Sequence, residues 1–342
     1  MKAVVLKEPN RLEIAEAPIP KVESDYLLIK VELCGLCGTD LLVYDGRFPV
    51  EMPYFNLGHE YTGVVVKTGS EVKTISVGQR VTIDPNYHCS LCYFCRRGDI
   101  EFCENRRRFK KKSNGGLAEY VVITEKLVYK IPANLSPEEA IFAEPLSCCL
   151  HGLALVNIEP GADVLIFGAG TIGLLTLQLC KLRGARRIVV SEPVGLRRKI
   201  AEELGADVVI DPLKRDLKER IKEVFPKGPD LTIESAGAKE TLGVALNLIK
   251  NKGQVLLMAI WPRKEEIAMK PFLIVEKEVS LRGVLFGSGY LGRAIEVLEK
   301  RLVNVKPLLT HRYRLVEIGE AMEKAKSREA IKVAINLVSE EE

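Results

Sequence analysis

No uninterrupted apolar run in these 342 residues approaches the length needed to cross a bilayer. The first residues, Met1-Lys2, lead straight into the strand-like Ala3-Val4-Val5-Leu6 and not into a signal peptide, so the expectation is a cytoplasmic protein with no membrane partner. Neither sign of charge dominates. Fifty basic and 46 acidic residues leave a net charge of +4, too small a field to argue for nucleic acid or acidic lipid. No internal repeat or low-complexity segment occurs, and histidine is scarce, with four in the whole chain.

What is present is an ordinary soluble composition, 47% apolar and 28% charged, in a chain too long for one core and comfortable for two domains. Nine cysteines are present, and four of them, Cys89, Cys92, Cys95 and Cys103, fall within fifteen residues. In a long chain without an export signal, such clustering points to metal and not to disulfides.

The chain is organised around Asp163 to Glu192. An apolar run, Val164 to Phe167, passes into Gly168-Ala169-Gly170-Thr171-Ile172-Gly173, then into an apolar segment and a second strand-like run ending at Ser191-Glu192. In such a strand, turn, helix and strand, one glycine makes the turn, one lets backbone approach a pyrophosphate, and one lets helix and strand pack closely. The helix N-terminus then offers free N–H groups to the anion. Gly168, Gly170, Thr171, Ile172 and Gly173 are therefore the candidate cofactor contacts. Glu192, 19 residues past Gly173, suits a ribose diol and repels a 2′-phosphate, which predicts NAD over NADP. Arg197 and Arg198 leave three roles open: a phosphate contact, packing along the adenine, or a solvated helix start.

Three further stretches carry metal-binding side chains. Cys34-Gly35-Leu36-Cys37-Gly38-Thr39-Asp40 reads as a redox pair or as part of a zinc site, and Gly58-His59-Glu60 follows 22 residues after Cys37. Thiolate, imidazole and carboxylate are zinc ligand types, and a mixed set with an open position suits catalysis. Glu144, in the apolar stretch Ala140 to Leu146, needs a partner if buried, and a metal is one way to supply it; exposure is the other reading. The Cys89, Cys92, Cys95 and Cys103 thiolates can close a tetrahedral zinc that fixes a loop; an iron–sulfur site and unligated thiols are the alternatives. The basic run Arg106, Arg107, Arg108, Lys110, Lys111 and Lys112 has only Phe109 interleaved. It predicts no nucleic-acid binding, though it can attract a phosphorylated or carboxylated substrate.

Around these stretches, short β runs punctuated by proline occupy the first part of the chain, an antiparallel, barrel-like opening. Ser136-Pro137-Glu138-Glu139 reads as a capped helix start. From Asp163 onward strands and helices alternate through about six strands to Val284, predicting a doubly wound α/β domain. From Gly292 the pattern reads as a helix, a polar link, a helix from Glu317 to Lys326 and a final strand from Lys332 to Leu337.

Taken together, Gly35-Leu36-Cys37-Gly38-Thr39-Asp40, Gly58-His59-Glu60, the four-cysteine lobe, Gly116-Leu117-Ala118-Glu119-Tyr120, Glu144-Pro145-Leu146 and the glycine fingerprint resemble the zinc-dependent medium-chain dehydrogenase/reductase family over nearly the whole chain. The resemblance implies a GroES-like β-barrel catalytic domain over 1–147, with a structural zinc lobe near 85–112. It further implies a Rossmann NAD-binding domain with a doubly wound parallel sheet over 148–286, and a return to the catalytic domain over 287–342. Substrate and catalytic zinc would lie in the interdomain cleft. It also implies a homotetramer built through Rossmann sheet edges.

Within the family the chain is more similar to the sorbitol and threonine dehydrogenase branch. Glu144 stands where alcohol dehydrogenases carry a cysteine ligand, so Glu60 or Glu144, or each in turn, would join Cys37 and His59 on the catalytic zinc. Asp40 would accept from His59, and Thr39 would take the hydroxyl proton as hydride passes from a secondary alcohol of a polyol-like substrate to NAD. The histidine that usually continues such a relay is missing from Leu41-Leu42-Val43-Tyr44. An amino-alcohol such as threonine is the alternative substrate, and a non-enzymatic dinucleotide- or nucleic-acid-binding role the alternative of another class.

Overall fold

The computed structural model describes residues 1–106, 114–214, 216–262, 264–287 and 289–338. In chain order the first strands are β1 (Lys2–Glu8), β2 (Arg11–Glu16), β3 (Tyr26–Gly35), β4 (Glu60–Thr68), β5 (Arg80–Ile83), β6 (Tyr120–Thr124) and β7 (Val128–Lys130). Six more follow, β8 (Asp163–Phe167), β9 (Arg187–Ser191), β10 (Val208–Ile210), β11 (Leu231–Glu234), β12 (Gln254–Leu257) and β13 (Ser280–Gly283), and the chain closes with β14 (Leu309–Arg314) and β15 (Lys332–Asn336). Two compact units result. One holds 1–147, 288–301 and 309–342; the other holds 148–287 and 302–308.

In the first unit, β1 and β2 form an antiparallel hairpin, and a seven-stranded sheet runs β14-β15-β3-β4-β5-β7 with β6 also on β3. Alternate residues of the strands turn inward, so Leu27, Ile29 and Val31 of β3, Val65 of β4, Val81 of β5 and Val121 and Ile123 of β6 are all sealed from solvent in one core. β3 is the hub, pairing antiparallel with β4, β6 and β15. Its registers decide the local chemistry. Gly35 lies opposite Glu60 on β4 and opposite Ala334 on β15, so the ends of three strands distant in sequence meet at one point.

The polar link between the last two helices contains a strand that the sequence pattern misses. β14, Leu309-Thr310-His311-Arg312-Tyr313-Arg314, has no apolar alternation because it is an edge strand, intermediate to exposed along its length, and it pairs in parallel with the buried β15.

The second unit is a six-stranded, wholly parallel sheet in the order β10-β9-β8-β11-β12-β13. Its central strand β8, Asp163-Val164-Leu165-Ile166-Phe167, is apolar on both faces because helices cover both, and Val164 to Phe167 are buried. The strand order reverses between β8 and β11, which makes this a Rossmann-type doubly wound sheet with its switch point at the glycine turn.

Candidate active site and metal centres

The strand register of the first unit brings Cys37, two residues beyond β3, beside His59 and Glu60 at the start of β4. One donor atom from each lies within 4.8 Å of the others, a grouping compatible with a single zinc at ordinary N, O and S bond lengths. Asp40, buried in the helix Gly38–Tyr44, ties the two loops together. Its Oδ2 accepts from Cys37 N and its Oδ1 from Gly58 N, both at 3.0 Å. The same Oδ1 lies 3.6 Å from His59 Nδ1, which turns Nε2 into the nitrogen left for a metal. Burial opposes charge on His59, but Asp40 and then Cys37 outweigh it and hold its pKa well above the usual imidazole range. Thr39 Oγ1 is 3.7 Å from Cys37 Sγ, so its hydroxyl borders the same group.

Lys332, at the head of β15, completes the site, and sequence reasoning missed it. Leu36 N donates to Val333 O, and this pairing sets Lys332 against Cys37's loop, where its Nζ donates to Leu36 O at 3.1 Å and forms an ion pair with Glu60 Oε2. Both side chains are buried, 3% and 1% exposed, so the pair stands in a low dielectric where neither charge survives alone. Gly35 makes the room. A Cβ there would sit 2.6 Å from Glu60 Oε2 and 3.3 Å from Lys332 Cδ.

Glu144, in the first turn of the helix Ala143–Ala154, is buried as well, although it falls outside the 4.8 Å grouping. Burial pushes its pKa up to about 7, and the charge of His59 opposes the shift. Glu60 and Asp84 raise it further while Lys332 lowers it, so Glu144 shares the field of the same cluster.

The four-cysteine lobe is built around the one-turn helix Tyr93–Arg96. The Sγ atoms of Cys89, Cys92, Cys95 and Cys103 lie within 4.8 Å of one another, and none is in a disulfide. Cys92 and Cys95 sulfurs are 3.4 Å apart and Cys89 and Cys95 3.9 Å, bracketing the edge of about 3.8 Å that a zinc–sulfur tetrahedron requires. Backbone N–H groups point at the sulfurs, Cys89 N at Cys103 Sγ (3.2 Å) and Cys92 N at Cys89 Sγ (3.3 Å), as thiolates need. Cys95→Ser is expected to lower the melting temperature by several degrees and the metal content from about two zinc ions per chain to about one. Elemental analysis beside a thermal melt checks both. An unchanged melt would remove the structural role. Of the basic run that follows, only Arg106 is among the described residues, and it donates to Glu101 O at 3.1 Å.

The geometry of the glycine turn suits a dinucleotide. Gly168 takes φ +93 and a Cβ on it would meet Ala236; a Cβ on Gly173 would lie 2.0 Å from Gly168 O; Gly170, at the N-cap of the helix Thr171–Leu182, has nothing within 4 Å. In chain order Gly168, Gly170 and Gly173 thus supply a turn, an open approach and a close contact, the sequence that a bound pyrophosphate requires. Thr171 and Ile172 form the first turn of that helix. Ser235 Oγ donates to Phe167 O at 2.8 Å and braces the turn from β11. Glu192 is buried just past β9, and its carboxylate accepts from Ala169 N (2.7 Å) and Val194 N (2.9 Å), so it first fixes the turn; each oxygen keeps a further lone pair for a ribose hydroxyl. The two arginines separate. Arg198 donates to Glu192 O at 2.8 Å and pairs with Asp211 at 2.9 Å, a structural tie, while Arg197 is half-buried beside it.

Comparison with known proteins agrees with this architecture. Residues 23–133 match the alcohol dehydrogenase GroES-like domain, and residues 171–300 the zinc-binding dehydrogenase domain. The chain is 33% identical to D-arabinitol dehydrogenase 1 of Uromyces fabae over 98% of its length and 97% of that protein. It is also 33% identical to L-threonine 3-dehydrogenase of Pyrococcus furiosus, over 92% of each. A zinc-binding dehydrogenase of Sinorhizobium meliloti 1021, solved bound to NADP, superposes with a TM-score of 0.91 at 35% identity, covering 98% of both chains. Among the described residues no helix is long and apolar enough to cross a membrane. The chain belongs to the zinc-dependent medium-chain dehydrogenase family.

Proposed function

We propose that this enzyme oxidises a secondary alcohol of a polyol-like substrate with NAD, its first unit holding two zinc ions and its second the dinucleotide. The observation that carries the reading is the Cys37, His59 and Glu60 cluster, half-buried at Cys37 and His59 and buried at Glu60, with Glu144 in its field, in a chain that also folds the glycine turn. Cys37 and His59 hold the catalytic zinc with a carboxylate, Glu60 or Glu144, as the third protein donor; Cys89, Cys92, Cys95 and Cys103 hold the structural one. Bound zinc supplies Lewis acidity that lowers the pKa of a substrate hydroxyl. Asp40 holds the His59 tautomer, and Thr39 accepts the hydroxyl proton and passes it to water, Glu60 being tied to Lys332. The carbon then gives up its hydride, leaving ketone, NADH and a proton.

The test is NADH formation with sorbitol, xylitol, other tetritols to hexitols, inositols, threonine and simple alcohols. Turnover of polyols supports the reading. Turnover of threonine alone would replace the substrate, a reading that the equal identity to a threonine dehydrogenase keeps in the panel. No turnover by a zinc-loaded protein would return the chain to a binding role. We further propose NAD over NADP, because Glu192 sets a negative charge where a 2′-phosphate would lie. Glu192→Ala is expected to cut the NAD-to-NADP ratio of kcat/KM by about tenfold or more, since like charges brought together cost several kcal/mol; an unchanged ratio would dismiss that role.

We also propose a homotetramer joined through the β13 edge of the parallel sheet, supported by Phe272 and Val275 of the neighbouring helix Pro271–Lys277, 70% and 71% exposed. Light scattering that reads a monomer mass would end it.

A further inference from the structure

The second half of the helix Ala143–Ala154 touches three segments at the carboxyl edge of the parallel sheet. Cys149 Sγ lies 3.6 Å from Ile172 O, in the first turn of the helix Thr171–Leu182 that the glycine motif opens. At Gly152 a Cβ would come 2.9 Å from Met258 Cε, just past β12. His151 Nδ1 lies 2.7 Å from Phe286 O, three residues past β13. A carbonyl oxygen only accepts, so Nδ1 carries the hydrogen and donates it. The residue it holds is an unusual one. Phe286 has φ +59, in the left-handed region that a bulky aromatic rarely enters, and backbones held there cluster at ligand clamps and switch segments.

The sheet says which part of a dinucleotide this segment borders. Phe167, Glu234, Leu257 and Gly283 pair in one line across β8, β11, β12 and β13, so the loops after these strands open on one edge. The pyrophosphate belongs at the turn after β8 and the adenosine ribose beside Glu192, after β9. The remaining ribose and the nicotinamide therefore extend the other way, over the ends of β11, β12 and β13. We propose that His151 is a positioning residue for the nicotinamide half of the cofactor. Its donated hydrogen bond holds the Phe286 carbonyl, and with it the Val284–Gly287 segment, in the conformation that borders the nicotinamide ring. This rests on the dehydrogenase reading above.

Calorimetric titration of the full, zinc-loaded chain with NADH and with ADP-ribose, which lacks nicotinamide, tests it. His151→Ala is expected to weaken NADH about tenfold and leave ADP-ribose within about twofold, the loss that follows when a held carbonyl is left without its donor. His151→Leu, which keeps the side chain's bulk, should behave the same way, and His151→Gln, which can still donate, should restore most of the affinity. Parallel losses for both ligands would make His151 a merely structural prop and overturn the proposal, as would no loss at all or no rescue by glutamine. A wild-type chain that binds neither ligand overturns the dehydrogenase reading and this inference with it; normal wild-type binding with an unaffected alanine variant overturns this inference alone.

Discussion

A Cys37→Ser chain is expected to lose turnover by at least roughly a thousandfold, because even the outer partners of a metal ligand cost about 10- to 100-fold and Cys37 is placed to be a ligand itself. Serine keeps the shape and the backbone N–H to Asp40, so the loop and its helix should fold as before. What it removes is the soft, easily ionised donor in a set that otherwise offers one imidazole and carboxylates. NADH affinity, set by the glycine turn, should stay within about twofold, since no residue of that turn is altered. Zinc analysis should read the structural ion alone. Full turnover by the serine protein would dismiss Cys37 as a ligand and the catalytic zinc with it.

The largest expected effect on stability comes from Lys332. Replacing it with Met leaves Glu60, 1% exposed, as a buried carboxylate without its cation, which should cost roughly 3–5 kcal/mol in denaturant unfolding. A second change, Glu60→Gln, should recover most of that loss, because two neutral side chains of similar shape replace the ion pair. The Lys332 side of the pair should be indifferent to pH through the neutral range. Burial pulls the Lys332 pKa down, but Glu60 and then Cys37 raise it above lysine's usual value. Its contribution is thus complete below the unfolded lysine pKa and is lost only as pH rises through the still higher folded value. A Lys332→Met protein as stable as the parent would show that Glu60 takes its counter-charge elsewhere.

These two residues differ in how visible they are in the sequence. Cys37 stands in a short motif that already reads as a redox pair or part of a zinc site, and the glycine fingerprint announces both its strand and its helix. The Rossmann-type sheet and the barrel-like opening were legible because apolar runs and turns alternate at the right periods. Lys332 sends no such signal. A lysine opening an apolar strand reads as a solvated end, and only the pairing of β15 with β3 and of β3 with β4 reveals that it faces Glu60. Tertiary register has no local sequence mark. β14 was illegible for a related reason: an edge strand carries its polar residues on both faces and breaks the alternation on which a strand is recognised. His151 could be singled out as one of only four histidines, but its partner at Phe286 is set by packing.

The distance along the chain between Glu60 and Lys332 bears on how the protein is made. Cys37, His59 and Glu60 leave the ribosome early, whereas their buried cation follows 272 residues later, on the strand that zips against β3. Between them the chain spells out a complete parallel sheet that can fold from an almost uninterrupted stretch. During synthesis the cofactor-binding half can therefore be finished while the metal pocket is still open, its glutamate solvated and its strand β3 lacking a neighbour. A nascent chain arrested before β15 therefore already carries Cys37, His59, Glu60 and Glu144 but not the cation that Glu60 pairs with, and it should be competent for nucleotide while its Glu60 carboxylate stays solvated.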